Sequence, residues 1–268
     1  MREGACPLAR RFLTLARDQK MAPALRLAGR HTLTRGDVAL AALDVATAVR
    51  PLLVPGRPTV LSLPNSPELV AALIGLRAAG AAVALVDATA PAEEVARCAR
   101  AVGAGLVVAP PGRTAEPIVA EIGGAVVARC EGDPVAIPAG AAVLKLTSGS
   151  TGAPRAIAVS ARQLAADTVQ IMRTMDVRAA DVTLAAIPLT HSYGIGSCLV
   201  PLLLAGTPLA IPASPLPAAL AEAIRAQRVA HFPAVPAMVR SLAGLGELPV
   251  PALRVCLFTG NENNCMRC

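Results

Sequence analysis

The chain has 268 residues, of which 54% are hydrophobic, 16% charged and only 1% aromatic, and its formal net charge is +7. This length and apolar content are ample for one large α/β unit with a core of Ala, Val and Leu. Much of the excess positive charge lies in the first 50 residues, without aromatic side chains on which bases could stack, so the composition argues against a nucleic-acid partner.

The cysteine and hydropathy patterns predict the cellular compartment of the protein. Its seven cysteines are scattered, with only Cys265 and Cys268 close together, which fits a reducing compartment and no metal site. Charges interrupt the apolar run near the N-terminus, so we expect no signal peptide. The most apolar stretch, SCLVPLLLAGTPLAI, contains Pro201, Gly206 and Pro208 and is too short for a membrane span. We therefore expect a cytoplasmic protein.

Strand and helix signals alternate from the N-terminus onward. Thr34 and Asp37 have the spacing of a capping box in front of a helix. The stretch TVLSLP predicts a strand, and the helix after it has Ser66 as its N-cap and Gly80 beyond its end. Further strands are predicted in AAVALVD, GLVVA, AVVA and VLKLT, and a further helix in PAEEVARCARAVG.

The second half continues this alternation. Ser160 caps a helix in ARQLAADTVQIM, and another helix is predicted near residues 192–205. Strands are predicted in DVTLAAIP, TPLAIP, VAHFP and LRVCLFTG, and helices in SPLPAALAEAIRAQ and PAMVRSLAGLG. Near-continuous apolar strands separated by helices predict an α/β fold of doubly wound, mostly parallel sheets with helices on both faces. Ligands of such sheets bind beyond the carboxyl ends of the strands.

A stretch rich in hydroxyls and glycines, TSGSTGAPR at residues 147–155, follows the VLKLT strand and precedes the helix capped by Ser160. Glycines let backbone N–H groups face a ligand and hydroxyls add donors, so the composition suits phosphate. A Walker A loop is excluded because Pro154 stands five residues after Gly149, and no G-x-G-x-x-G spacing is present. A Ser/Gly-rich surface turn is the alternative interpretation.

This stretch resembles the phosphate loop of the adenylate-forming superfamily, which reads roughly T-S-G-[ST]-T-G-x-P-K-G and includes acyl-CoA synthetases, luciferases and peptide-synthetase adenylation domains. Residues 147–152 and Pro154 match, whereas Arg155 and Ala156 stand where Lys and Gly are usual. The segments LPNSPELVAALIGLRAAGA and PLTHSYGIGSCLVPLLLAG are similar to two further parts of that family. The resemblance covers roughly residues 30–260.

The resemblance implies ATP-dependent activation of a fatty or aryl carboxylic acid as an acyl-adenylate, with Mg²⁺, and transfer to a thiol of CoA or of a carrier protein. It implies that the nucleotide phosphates are bound by Thr147, Ser148, Gly149, Ser150, Thr151, Gly152 and Arg155. It also implies a substrate pocket containing His191, Tyr193 and Gly194, in which His191 is a candidate catalytic residue. Amino-acid-activating relatives usually have Phe-Asp where this chain has His191-Ser192, which favours an acyl or aryl acid.

These residues also have plainer interpretations. His191 could instead be a partly buried histidine that caps the next helix, and Tyr193 could simply pack. Gly194 and Gly196 could serve tight helix packing instead of substrate approach. For His231 we expect a core position, and to His31 we assign no role.

We predict that residues 1–260 form a partial N-terminal AMP-binding domain, followed by an atypical polar tail at 261–268. The family's Y-G-x-T-E adenine segment, ribose-binding Asp and small C-terminal domain with its catalytic lysine are expected to be absent, and a separately encoded part could supply them. Neither of the two lysines, Lys20 and Lys145, is expected to replace that cation. The alternative function is a non-catalytic nucleotide- or acyl-binding remnant, or a truncated fragment without turnover.

Overall fold

A computed structural model of the protein describes residues 6–147, 155–246 and 252–258. The helices in these ranges are α1 (Pro7–Asp18), α2 (Arg35–Val49), α3 (Pro67–Ala79), α4 (Ala92–Ala101), α5 (Ala161–Thr174), α6 (Ser192–Gly194), α7 (Val200–Ala205), α8 (Pro217–Ala226) and α9 (Pro236–Ala243). A wider π-helical turn, Ile195–Leu199, joins α6 to α7. The strands are β1 (Pro23–Arg26), β2 (Thr32–Thr34), β3 (Thr59–Leu61), β4 (Val83–Leu85), β5 (Leu106–Ala109), β6 (Ile118–Ile122), β7 (Ala125–Arg129), β8 (Ala141–Thr147), β9 (Arg155–Ser160), β10 (Thr183–Leu184), β11 (Leu209–Ala210), β12 (His231–Ala234) and β13 (Val255–Phe258).

The strands form two sheets. The seven-stranded sheet has the order β6-β7-β5-β3-β4-β8-β9, and its central strands β5, β3, β4 and β8 are parallel. The six-stranded sheet has the order β13-β12-β10-β11-β1-β2 and is parallel except where β2 pairs with β1. The predicted class, mostly parallel sheets in an α/β fold, is confirmed.

Apolar packing shows how the layers stack. One cluster joins side chains of both sheets with those of α1, α2, α3, α5 and α7, so these helices lie between the sheets. A second cluster packs α8 and α9 on the outer face of the six-stranded sheet, and a third packs α4 on the outer face of the other. Within β3, Val60 belongs to the α4 cluster and Leu61 to the cluster between the sheets. The central strands β3, β4 and β5 are buried on both faces, as near-continuous apolar runs indicate.

The helix ends follow the predicted capping signals. The hydroxyl of Ser66 accepts a hydrogen bond from the backbone N–H of Leu69 at 3.2 Å, and Gly80 ends α3 with a φ of 99°. At α5, Ser160 and Gln163 satisfy each other's backbone N–H groups in a capping box. Each cap stabilises its helix by about 1 kcal/mol.

The segment after the hydroxyl-rich stretch differs from the prediction. The sequence predicts no regular element between this stretch and the helix cap at Ser160, but residues 155–160 form β9, which pairs antiparallel with β8. The backbone groups of this apolar segment are satisfied by the ladder with β8, which is the reason an extended conformation is stable there. The hydroxyl-rich stretch therefore connects two antiparallel strands.

Candidate functional site

The site lies at the carboxyl ends of β4 and β8, which are neighbours in the seven-stranded sheet. Their register pairs Leu85 with Lys145, so Asp87 and Thr147 each come two residues beyond the same paired position. Because the strands are parallel, both residues reach the same edge of the sheet. This edge is where ligands of α/β sheets bind.

The pairing of β8 with β9 brings the two ends of the hydroxyl-rich stretch together. Thr147 on β8 is directly opposite Arg155 on β9, and the side chain of Arg155 is exposed. The predicted cation therefore stands at the base of the stretch. Ser148, Gly149, Ser150, Thr151 and Gly152 lie outside the described residues, as does the tail at 261–268, and their roles stay predictions.

His191 is held across this edge by Asp87. The imidazole Nε2 lies 3.0 Å from Asp87 Oδ2, and the histidine side chain is 58% exposed. His191 does occupy the N-cap position of α6, but its side chain makes no capping hydrogen bond. Its ring thus faces a partner 104 positions away in sequence.

Thr89 fixes the carboxylate that contacts His191. Asp87 Oδ1 accepts hydrogen bonds from the Thr89 backbone N–H at 2.8 Å and from the Thr89 hydroxyl at 2.6 Å. Partial burial by itself raises the pKa of the Asp87 carboxyl, but the hydrogen bonds from Thr89 and the nearby His191 outweigh it and lower the pKa overall. The carboxylate form is therefore favoured.

A cleft of about 590 Å³ opens beside this pair. Its polar lining includes Asp87, Glu94, Arg97, Lys145, His191 and Tyr193. Arg97 donates to Glu94 at 2.9 Å, whereas Lys145 forms no ion pair with any residue of the described ranges. The sequence predicts no role for Lys145, yet this cation lines the cleft.

Asn65 ties the two sheets together next to the cleft. Its side-chain amide donates to the carbonyls of Ala185 and Ile187 at 2.9 and 2.8 Å, and its carbonyl oxygen accepts from the Leu189 N–H at 2.8 Å. Asn65 follows β3, whereas residues 185–189 connect β10 to the turn that carries His191. In the sequence Asn65 stands out only as part of the LPNS segment, whereas its three hydrogen bonds make it a positioning residue.

The remaining predicted pocket residues divide between the cleft and the core. Tyr193 lines the cleft and also packs against the cluster between the sheets. A Cβ at Gly194 would collide with the backbone of Pro188 and Leu189, so close packing already requires glycine there. The use of Gly194 by a substrate stays a prediction. His231 is buried, as expected of a core histidine.

Across the described ranges, no group of three or more His, Cys, Asp and Glu side chains is arranged to hold a metal ion. No helix in the same ranges combines the length and apolar character needed to cross a bilayer.

Comparison with known proteins identifies the class. The family model described as "AMP-binding enzyme" matches residues 12–264, and the chain belongs to this family of adenylate-forming enzymes. Pyochelin synthetase PchE of Pseudomonas aeruginosa (strain UCBPP-PA14) is 31% identical over 245 residues, covering 85% of this chain and 16% of that protein. The 4-coumarate–CoA ligase 5 of Oryza sativa subsp. japonica is 29% identical over 196 residues, covering 63% of this chain and 36% of the ligase.

A solved structure supports the same assignment. The AMPPNP-bound form of the nonribosomal peptide synthetase FmoA3 superposes with a TM-score of 0.76 at 25% identity, over 97% of this chain and 30% of that one. The chain thus spans well under half the length of each of these three relatives.

Proposed function

We propose that this chain provides the phosphate-binding and acid-binding parts of an enzyme that activates a carboxylic acid with ATP. The observation that carries the proposal is the strand register. It brings Thr147 and Arg155, which flank the family's phosphate-loop sequence, and the Asp87–His191 pair to one edge of the sheet, beside a cleft of about 590 Å³. An AMPPNP-bound relative with the same fold supports nucleotide binding.

In the proposed reaction, the acid's carboxylate attacks the α-phosphorus of ATP, and pyrophosphate leaves. Residues 147–152 would hold the β- and γ-phosphates through backbone N–H groups and hydroxyls, and Arg155 would neutralise part of their charge. Catalysis of such transfers is mostly positioning and charge stabilisation. Mg²⁺ would enter with ATP and be ligated chiefly by the phosphates, because the described residues offer no carboxylate cluster.

The proposal also specifies the class of acid that is activated and the group that accepts it. We assign a fatty or aryl acid, because His191-Ser192 stands where amino-acid-activating relatives usually have Phe-Asp. The acceptor would be a thiol, either of CoA, supported by similarity to a CoA ligase, or of a carrier protein, supported by similarity to peptide synthetases. Cys6, Cys98, Cys130 and Cys198 are buried and unpaired, which supports the cytoplasm as the compartment.

Turnover is proposed to need groups beyond these 268 residues. The family's adenine-binding Y-G-x-T-E does not occur in this sequence, whose only tyrosine, Tyr193, is followed by Gly-Ile-Gly. Residues 1–260 would then be the larger part of the enzyme, a partial N-terminal AMP-binding domain that binds the phosphates of ATP. A remnant that binds nucleotide without turnover is the alternative outcome.

The experiment is thermal unfolding with and without Mg·ATP or pyrophosphate. Replacing both Thr151 and Gly152 with Val should abolish the nucleotide-dependent rise in Tm, because the loop loses a hydroxyl donor and a residue without a Cβ. Thr47→Val, which removes an exposed hydroxyl on α2, is the matched control and should keep the rise. If the double variant melts lower without nucleotide, Thr151→Val alone serves instead. An unchanged rise in both loop variants would rule out phosphate binding here.

A further inference from the structure

Asp87 contacts His191 at the proposed site, but the reaction described above gives its side chain no task. We propose that Asp87 is a positioning residue: anchored by Thr89, it keeps the neutral ring of His191 protonated on Nε2 and leaves Nδ1 as a hydrogen-bond acceptor for a ligand in the cleft. The ligand's identity rests on the proposed function, whereas the anchoring of the ring rests on the structure alone.

The carboxylate of Asp87 is oriented before it meets the imidazole. Its Oδ1 takes two hydrogen bonds from Thr89, one from the backbone at 2.8 Å and one from the hydroxyl at 2.6 Å. An Asp that bonds the N–H two residues on forms an Asx turn, which restricts its side-chain rotamer. The other oxygen, Oδ2, is thereby directed at His191 Nε2, 3.0 Å away.

The chemistry of the two groups then fixes the tautomer of the ring. A carboxylate can only accept hydrogen bonds, and a neutral imidazole has one donor and one acceptor nitrogen. Nε2 must therefore carry the hydrogen that faces Asp87, and Nδ1 must carry the lone pair. Among the described residues, no hydrogen bond reaches Nδ1. The side chain of His191 makes no capping bond to α6, and it is the backbone carbonyl of His191 that accepts from the N–H of Ile195.

The position of the pair makes Nδ1 relevant to ligands. Asp87 and Thr190 line both the cleft of about 590 Å³ and a second one of about 320 Å³ at the ends of β3, β10 and β11. The pair therefore stands where the two clefts adjoin. A ligand group that meets Nδ1 would be a donor, such as a hydroxyl or a thiol. Glu94, the other carboxylate that lines the larger cleft, is paired with Arg97 and not with His191.

The test uses the fact that the chain has three histidines. Chain labelled with ¹⁵N in its histidine rings is measured by NMR at about pH 9, where the imidazoles are neutral. The ring-nitrogen shifts report the tautomer of each histidine, and His→Gln variants assign the signals. We expect His191 to be Nε2-protonated to a greater extent than the exposed His31.

In Asp87→Asn we expect the opposite tautomer of His191, with its hydrogen on Nδ1. Thr89 donates two hydrogen bonds, so it will hold the amide oxygen, and the amide nitrogen will then face His191. An amide nitrogen donates, so the ring must accept on Nε2 and move its hydrogen to Nδ1. The ratio of the two tautomers should shift by about tenfold or more toward Nδ1–H, the effect of one hydrogen bond. The signals of His31 and His231 should not change.

Adding Thr89→Val to Asp87→Asn should weaken this reversal, because the hydroxyl bond is lost and only the backbone N–H of residue 89 still holds the amide oxygen. Thr89→Val alone should raise the minor tautomer of His191, and it serves if the Asn variant does not fold. A His191 that stays Nε2-protonated in Asp87→Asn would overturn the proposal. The NMR measurement needs no nucleotide and is therefore independent of the ATP-binding test. If the tautomer of His191 reverses in Asp87→Asn but the protein does not bind ATP, only the proposed function is rejected.

Discussion

Arg155 stands where the phosphate loop of the family usually has a lysine, and the structure puts it opposite Thr147 at the base of that loop. A guanidinium keeps its charge and can bind two phosphate oxygens at once, but it is bulkier than an ammonium. Whether it acts on phosphate is testable by substitution.

We predict that Arg155→Ala removes most of the rise in Tm caused by ATP or pyrophosphate, because the loop loses its cation. Arg155→Lys should retain or improve phosphate affinity. Arg173→Ala, which removes another exposed arginine near the end of α5, should leave the rise unchanged. A large loss in Arg155→Lys would instead mean that the loop has been rebuilt around the guanidinium.

His231 gives a pH-dependent prediction. Burial lowers the pKa of this histidine to about 4, with nearby Arg254 adding to the effect and Asp181 opposing it. The unfolded chain takes up this proton near pH 6.5 but the folded chain only near pH 4, so between these values the unfolded state binds more protons. Stability should therefore fall as the pH falls through this window, by about 3 kcal/mol at its lower end.

Urea unfolding between about pH 7 and pH 4 measures this effect. His231→Gln should flatten the pH dependence, because the glutamine does not titrate, whereas His31→Gln at an exposed position should not. An equal slope in wild type and His231→Gln would assign the acid sensitivity to other groups.

At the scale of elements, Asn65 connects the end of β3 to the segment after β10 by three hydrogen bonds. We predict that Asn65→Ala lowers the free energy of unfolding by about 2–4 kcal/mol, because three backbone groups lose their partner. Ser66→Ala, next to it, removes only a helix cap and should cost about 1 kcal/mol. Denaturant unfolding of both variants decides the matter: a smaller loss for Asn65→Ala than for Ser66→Ala would mean that solvent replaces the tether.

Gly75 in α3 reverses an ordinary rule. Ala in place of Gly inside a helix usually stabilises by up to about 1 kcal/mol. Here an added Cβ would come within 2.5 Å of the Ala42 carbonyl oxygen and 2.7 Å of Val45 Cβ on α2. We therefore expect Gly75→Ala to destabilise by about 1–3 kcal/mol through overpacking.

Gly196→Ala is the control for Gly75→Ala, since its Cβ would lie at ordinary contact distances from its neighbours, 3.7 Å from Asp167 Oδ2 and 3.8 Å from Ile171 Cδ1. Thermal or urea unfolding should show little change in that variant. If Gly75→Ala is equally harmless, α2 and α3 have room to move apart.

Local signals explain which elements the sequence predicted. The α3 helix was predicted to its ends because Ser66 and Gly80 act on their own turns. The α1 helix was missed because charges interrupt its apolar run, although Leu8, Phe12 and Leu15 recur at helical spacing and are buried. The β9 strand was missed because its first residues are exposed and only the pairing with β8 makes it extended.

The same distinction holds for the site. The hydroxyl-rich stretch and His191 could be located from neighbouring letters of the sequence. Asp87 and Asn65 could not, because their partners lie 104 and more than 100 positions away and are brought near by the parallel strands. A single sequence carries no local signal of such a register.

For the whole molecule, we predict that the 268 residues alone do not exchange labelled pyrophosphate into ATP above background, across a panel of fatty and aryl acids. The reaction also needs a fixed adenosine and an oriented cation on the carboxylate. Lys145 is in the cleft, but the sequence has no Y-G-x-T-E segment. Loss of one oriented charge commonly costs about a hundredfold in rate. Exchange that disappears in Arg155→Ala would show a working enzyme and refute this prediction.

The helices shared by the two sheets have a consequence for how the molecule opens. Since buried side chains of α1, α2, α3, α5 and α7 form a single cluster with those of both sheets, separating either sheet would expose that cluster to water. The two halves should therefore act as one cooperative unit, and amide hydrogens of β3 and of α3 should exchange with deuterium at a common rate, that of global unfolding. The strands β4 and β8, which form one wall of the cleft, then belong to the slowest-exchanging part of the protein, while the outer helices α8 and α9 can fray without disturbing it.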